Sequence, residues 1–231
     1  MCAEQVRKLI VAIDGPAGAG KSTVAKRLAK ELGYAYMDTG AMYRAFAWRV
    51  MKEGIDLSDE KKLERVLQDT SIELLEQDGR SSVLLNGVDV TDRIRTPELS
   101  QLASRVSTSK IVRERMVELQ RDMGSHGGVV AEGRDIGTVV FPNAEVKVFL
   151  DASSEERARR RFEELRSQGR EVTVEETLEE MEQRDRRDRE RDVAPLRKAE
   201  DAVVIDSTQA GVDGVVGRIM QEIKRKQSEI Q

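Results

Sequence analysis

The segment Gly15-Pro-Ala-Gly-Ala-Gly20-Lys21-Ser22 carries the spacing G-x-x-x-x-G-K-[ST], and each position has a chemical reason. Glycines admit backbone angles closed to other residues and let main-chain N–H groups approach phosphate oxygens. Lys21 is placed to reach the β- and γ-phosphates of a nucleotide, and the Ser22 hydroxyl suits Mg²⁺. A glycine-rich turn that merely closes a strand and helix would look similar. What favours phosphate binding is the context, an apolar run before the glycines and helical periodicity after them.

A phosphate loop alone does not separate a kinase from a GTPase or a motor. The guanine-reading string Asn-Lys-x-Asp is absent, and no long coupling region follows. Arginines stand instead where a second phosphate-bearing molecule is gripped, which points to phosphoryl transfer between two small molecules. Asp38-Thr39-Gly-Ala-Met-Tyr-Arg44 follows an apolar run, so its carboxylate, hydroxyl and guanidinium fall on the ligand side of an open α/β sheet. The same residues also fit a helix start, with Asp38 or Thr39 as cap and Arg44 in solvent. Glu132-Gly-Arg134-Asp135-Ile-Gly-Thr138 sets an Arg–Asp pair between glycines, either a donor–acceptor pair for a base edge or a locally paired turn. In the arginine run from Gln183 to Asp192, spacing places Arg184, Asp188 and Arg191 on one helix face. Arg186, Arg187 and Arg189 read as its solvated side.

The elements that must position these groups follow from periodicity. Lys8 to Asp14 is continuously apolar between charged ends, as a buried parallel strand is, and similar runs occur at 34–37, 129–131, 146–150 and 202–205. Charged helical stretches separate most of them, so the fold class is α/β, with helices on both faces of the sheet. Val24, Leu28, Ala29 and Leu32 recur at helical spacing, and Gly33 ends that helix. Residues 71–91 break the rhythm: two short strands around Asp78-Gly79, with a turn at Asn86-Gly87, predict an antiparallel insertion over about 60–105. A helix at 59–68 precedes these strands, and Thr96, Pro97 and Glu98 open another after them. Later helices start at Ser153, stopping near Gly169, and at the capping box Thr173 to Glu176, ending before Pro195.

Bulk properties narrow the function further. At 231 residues the chain predicts one large domain or one domain with insertions, given roughly 150 residues per domain. Thirty-nine basic against 43 acidic residues give a net charge of −4, and aromatics are only 3%, which argues against a nucleic-acid partner. No run approaches the roughly 20 apolar residues of a membrane span, and the first residues lack a signal-peptide pattern, so no membrane partner and a cytoplasmic location are expected. One cysteine, Cys2, and one histidine, His126, leave no zinc site or internal disulfide to expect. His126 falls in a predicted solvent loop.

Taken together, the phosphate loop, Asp-Thr-Gly-Ala-Met-Tyr-Arg, Glu-Gly-Arg-Asp-Ile-Gly-Thr-Val-Val-Phe-Pro, Phe-Leu-Asp-Ala-Ser, Arg-Asp-Arg-Arg-Asp with Val-Ala-Pro-Leu, and Asp-Ser-Thr make the chain resemble the bacterial cytidylate kinases from end to end. That resemblance implies a P-loop NTPase fold with a five-stranded parallel sheet. The core would be 1–59 and 106–231 with a short helical lid at about 155–192, and 60–105 would be an inserted antiparallel nucleoside-monophosphate-binding domain. It implies transfer of the γ-phosphoryl group of MgATP to CMP or dCMP, by a monomer. Gly15, Pro16, Ala17, Gly18, Ala19, Gly20, Lys21, Ser22 and Thr23 would hold ATP, with Ser22 on the metal. Thr39 would sit on the CMP side; Arg44, Arg134 and Arg191 would grip phosphates, Lys21 joining the last two in catalysis. Arg184 and Asp188 would meet the sugar, while Ser104, Arg113 and Asp135 would read cytosine. Glu132 would be a possible ligand of metal-bound water. Acceptors other than CMP, such as UMP or AMP, and a nucleotide-regulated RNA-binding module are the alternative readings.

Overall fold

The computed structural model describes residues 8–77 and 80–230, so Cys2 and the turn expected at Asp78-Gly79 lie outside the described residues. Five parallel strands form the central sheet in the order β2-β6-β1-β7-β8. They are β1 (Ile10–Asp14), β2 (Ala35–Asp38), β6 (Val129–Gly133), β7 (Val146–Asp151) and β8 (Val203–Asp206). β1 lies between β6 and β7, and Val11, Ala12 and Ile13 are wholly buried, which is why its run of apolar side chains does not alternate.

Helices cover both sheet faces, as the alternation of elements predicts. On one face Leu9, Val11 and Ile13 pack against Val24, Leu28 and Ile219, carried by α1 (Lys21–Leu32) and α8 (Val212–Ile230). On the other, Ala12, Met37 and Ala131 meet Val117 of α5 (Lys110–Gly124) and Ile136 and Val140 of a single π-helical turn, Ile136–Val140. α1 ends where Gly33 takes a φ of 64°, its N–H bonding back to Ala29 and Lys30. α6 (Ser154–Ser167) and α7 (Val174–Glu190) start on the expected caps, Ser153 and the Thr173–Glu176 box.

A second, antiparallel sheet interrupts this plan. β3 (Ile72–Gln77) pairs with β4 (Arg80–Leu85), and β4 with the two-residue β5 (Val88–Asp89). The Asn86-Gly87 turn has φ of 49° and 75°, the mirror-image turn that suits a two-residue hairpin. β5 goes beyond the two strands expected. β3 and β4 share an apolar cluster with α2 (Thr39–Lys52), α3 (Glu60–Gln68) and α4 (Pro97–Val106), and Val112 and Met116 of α5 reach into it. The clefts at the carboxyl ends of β1, β2 and β6 open toward this unit, where an open α/β sheet places its ligands.

Candidate active site

The loop between β1 and α1 is shaped for main-chain contacts. A side chain on Gly15, at φ 151°, would put its first carbon 1.9 Å from the Leu150 carbonyl oxygen, so only glycine fits against β7. Gly20, at φ 89°, precedes α1, and no side chain caps that helix and no acid sits in its first turn. Its first amides are therefore left to an anion, which the helix dipole also favours. Lys21 is buried and donates to the Pro16 carbonyl at 2.6 Å. Burial pushes its ammonium down to about 7, and the Arg134 guanidinium adds to the shift. A lysine so disfavoured as a cation is poised to gain from an arriving polyphosphate.

Glu132 closes the inner wall of this loop. Its carboxylate accepts from the Tyr36 hydroxyl and lies beside Ser22, and its carbonyl accepts from Thr39 Oγ1 at 2.7 Å. Burial raises its carboxyl above the usual range and Asp38 adds to that, with Lys21 opposing. Ser22, Glu132 and Asp38 form an oxygen-only donor set, which matches a hard cation such as Mg²⁺. Among the described residues no cluster of three acidic, histidine or cysteine side chains forms an all-protein metal cage.

Across the cavity the groups are cationic and come from four places in the chain. Asp38 caps α2 through the Ala41 amide at 2.8 Å and also accepts from Arg44 at 3.1 Å, so the helix start and an arginine that lines the cavity belong to one structure. Arg134, after β6, donates through Nε to Asp188 on α7 at 2.8 Å. Asp135 lies between two guanidiniums, Arg113 of α5 and Arg191, the latter at 3.4 Å. Burial works against the ionised form of Asp188, yet Arg134, Arg184 and Arg191 together hold its carboxyl below the usual range. Arg184 is pulled down to about 10 by burial and by Arg134. Its Nε and the Ser104 hydroxyl are buried with no hydrogen-bond partner. Crowded cations with unclaimed donors make this wall suited to an anion.

Both sets line one cavity of about 640 Å³. Ala17, Gly18, Gly20, Lys21, Ser22 and Thr23 form its donor wall, and Thr39, Arg44, Ser104, Arg113, Arg134, Asp135, Arg184, Asp188 and Arg191 face them. Gly15, Pro16 and Ala19 lie buried beneath that surface.

Two readings of the arginine run need correction. Arg191 does not share a helix face with Arg184 and Asp188: α7 stops at Glu190, and Arg191 turns away as an extended C-cap whose Nε donates to Ala194 at 2.6 Å. Arg187 is not solvated surface, since it donates to the Gln101 side chain of α4 and its Nε is buried. The run also hides Asp185, which is buried and accepts from the Ala17 amide at 3.3 Å and from Arg157 at 2.5 Å. Arg157 in turn donates to the Ala17 carbonyl at 3.0 Å, so α6 and α7 grip the phosphate loop together. Sequence reasoning missed both. The available signal was the inward stripe Thr177, Met181, Asp185, Asp188, spaced four, four and three. His126 is exposed in its loop beside Ser125, as expected.

The comparisons agree with this geometry. The family model for cytidylate kinase matches residues 11–225. A cytidylate kinase of Geobacillus kaustophilus (strain HTA426) is 54% identical over 220 residues, covering 95% of this chain and 98% of that one. The cytidylate kinase of Bacillus subtilis (strain 168) is 51% identical over 220 residues, with coverage of 95% and 98%. That of Syntrophotalea carbinolica is 52% identical over 221 residues, with coverage of 96% and 94%. Among solved structures, a gluconokinase from Sinorhizobium meliloti 1021 aligns with a TM-score of 0.50 at 15% identity, covering 98% of this chain and 97% of that one, a likeness of fold.

Proposed function

This chain belongs to the cytidylate kinase family and is an enzyme that phosphorylates CMP, and from that premise we propose that its donor is MgATP, that dCMP is also accepted, and that ADP leaves with CDP or dCDP. The observation that carries the reading is the single cavity with an amide-lined loop on one wall and an arginine cluster on the other. An oxygen of the ionised CMP phosphate attacks the γ-phosphorus in line. The new O–P bond forms as the bond to the β-phosphate bridging oxygen breaks, and ADP carries away that electron pair. A phosphate monoester dianion needs no general base, so catalysis rests on bringing two polyanions together and neutralising their charge.

Each group then has a role. The loop Gly15 to Thr23 cradles ATP, and Lys21 bridges its outer phosphates. Arg44, Arg134 and Arg191 hold the acceptor phosphate, Thr39 supports that end, and Arg184 and Asp188 meet the ribose. Asp135 accepts from the cytosine amino group, while Arg113 and Ser104 donate to its acceptor edge. Uracil inverts both edges, and a mispaired buried polar group costs about 1–3 kcal/mol, enough for tens-fold discrimination. Magnesium, when bound, supplies charge neutralisation at the phosphates, and Ser22, with Glu132 through water, would hold it.

The segments divide accordingly. The core is 1–59 and 106–231, the unit at 60–105 binds the monophosphate, and a lid at about 155–192 excludes water once both substrates are in place. We propose that it acts as a monomer. No helix among the described residues is long and apolar enough to cross a membrane, and we place the enzyme in the cytoplasm without a nucleic-acid partner. An ADP-release assay with CMP, dCMP, UMP and AMP, with and without Mg²⁺, tests this. Turnover is expected with CMP and dCMP only when Mg²⁺ is present. UMP or AMP turned over as well as CMP would refute the base assignment.

A further inference from the structure

A carboxylate at the N-cap of a helical turn ordinarily bonds the second or third amide of that turn. Asp135 stands at the N-cap of the π-helical turn Ile136–Val140, yet its side chain makes no such bond. The amides are taken by a residue far away in sequence. Asp14, the last residue of β1, accepts from Ile136 N at 2.7 Å and from Gly137 N at 2.8 Å. Both carboxylates are buried, Asp14 being 4% and Asp135 5% exposed. With its own turn already satisfied, Asp135 turns its oxygens to Arg113 and Arg191.

We propose that Asp14 is a positioning residue for base selection: by capping the turn after Asp135 it releases the Asp135 carboxylate to face the acceptor base. The inference rests on the reading of Asp135 as a cytosine contact. Holding Asp14 buried has a cost, since burial raises its carboxyl to about 6 even though the two amides act to lower it. That cost has a return. Without Asp14 the Gly137 amide is a buried donor with no partner, and the nearest natural acceptor for an N2 amide is the side chain at the N-cap. Asp135 would rotate to claim it and abandon the base-facing position. The phosphate loop starts at the next residue, Gly15, so one strand end supports both the donor cradle and, across β6, the reader of the acceptor.

The test is a cycle of five proteins: wild type, Asp14→Ala, Asp14→Asn, Asp135→Ala and the Asp14→Ala/Asp135→Ala double variant. For each, kcat/KM is measured with CMP and with UMP, and KM with ATP. Asp135→Ala is expected to lower the CMP-over-UMP ratio tens-fold, and Asp14→Ala about tenfold, with KM for ATP changed less than about threefold. The double variant is expected to discriminate no worse than Asp135→Ala alone, because the two act through one carboxylate. Asp14→Asn keeps volume and one acceptor but points an amino group at the second amide, so an intermediate loss is expected; this variant carries the test if Asp14→Ala does not fold. Unchanged discrimination in Asp135→Ala would remove the cytosine reading and this inference with it. Loss in Asp135→Ala but wild-type discrimination in the foldable Asp14 variants, or losses that multiply in the double variant, would overturn the inference alone. An equal rise in KM for ATP and CMP would do the same, since it would mean a general defect at the strand end.

Discussion

The two walls of the cavity are built by opposite means. The donor wall comes from one stretch of nine consecutive residues, Gly15 to Thr23, six of them at the cavity surface, and it presents mainly backbone amides whose direction is set by glycine angles and a helix start. The acceptor wall is made of side chains from α2, α4, α5 and α7 and from the segments that follow β6 and α7, and its charges hold one another, Arg134 with Asp188 and Asp135 with Arg113 and Arg191. A main-chain cradle recognises what all triphosphates share. A side-chain wall can be tuned to one acceptor, but each of its members depends on partners elsewhere in the chain.

Removing the buried lysine of the donor wall sharpens the contrast most. Lys21→Ala is expected to lower kcat roughly a thousandfold or more, because no neighbouring backbone group replaces its charge in the transition state. Single-turnover rates at saturating ATP and CMP check this, and a loss under tenfold would demote Lys21 to a binding role. Next comes the joint between the walls: Asp185→Ala strands the Arg157 guanidinium, 5% exposed, without its carboxylate. Breaking a buried pair on one side costs about 3–5 kcal/mol, which for a chain of this size lowers Tm by roughly 6–20 °C. Calorimetry should find Arg157→Met/Asp185→Leu more stable than the single variant.

On the acceptor wall, Arg134→Ala should lower kcat/KM for CMP about a hundredfold while leaving ATP affinity within about threefold. Equal losses for both nucleotides would erase the division between the walls. The smallest effect is a proton. Burial lowers the Lys21 ammonium to about 7 and a bound polyphosphate favours its charged form, so ATP binding at pH 8 is expected to take up protons. Calorimetric titrations in buffers of different ionisation heat measure that uptake, and Lys21→Met should abolish it. The same depression makes the unfolded chain the stronger proton binder between about 7 and the ordinary value of 10.5, so this group's contribution to stability rises with pH across that window.

The contrast also explains what could be read from sequence. The shape of the loop from Gly15 to Ser22 was legible because it lies in local backbone geometry, and Gly15, Gly20 and Lys21 announce that geometry within eight residues. The parallel strands were legible from unbroken apolar runs, and the caps at Asp38, Thr96, Ser153 and Thr173 from residue type. On the acceptor wall the arginines stood out as residue types, but not their partners. Arg134 and Asp188 lie 54 positions apart, and Arg113 and Asp135 lie 22 apart, separations no helical or strand period encodes. Asp14 read as the polar end of a strand, and its bonds to Ile136 and Gly137 exist only because β1 and β6 are neighbours. Arg187 was misplaced because alternating charge signals exposure until another helix, here α4, packs against it.

Asp185 and Arg157 both bond Ala17, one to its amide and the other to its carbonyl. Ala17 is thereby tied to α6 and α7: a tilt of that helix pair would drag the loop's shoulder along or leave a charge stranded in the interior. Any coupling that this joint carries is reciprocal: whatever a nucleoside triphosphate does to the grip on a monophosphate, the monophosphate does back in equal measure.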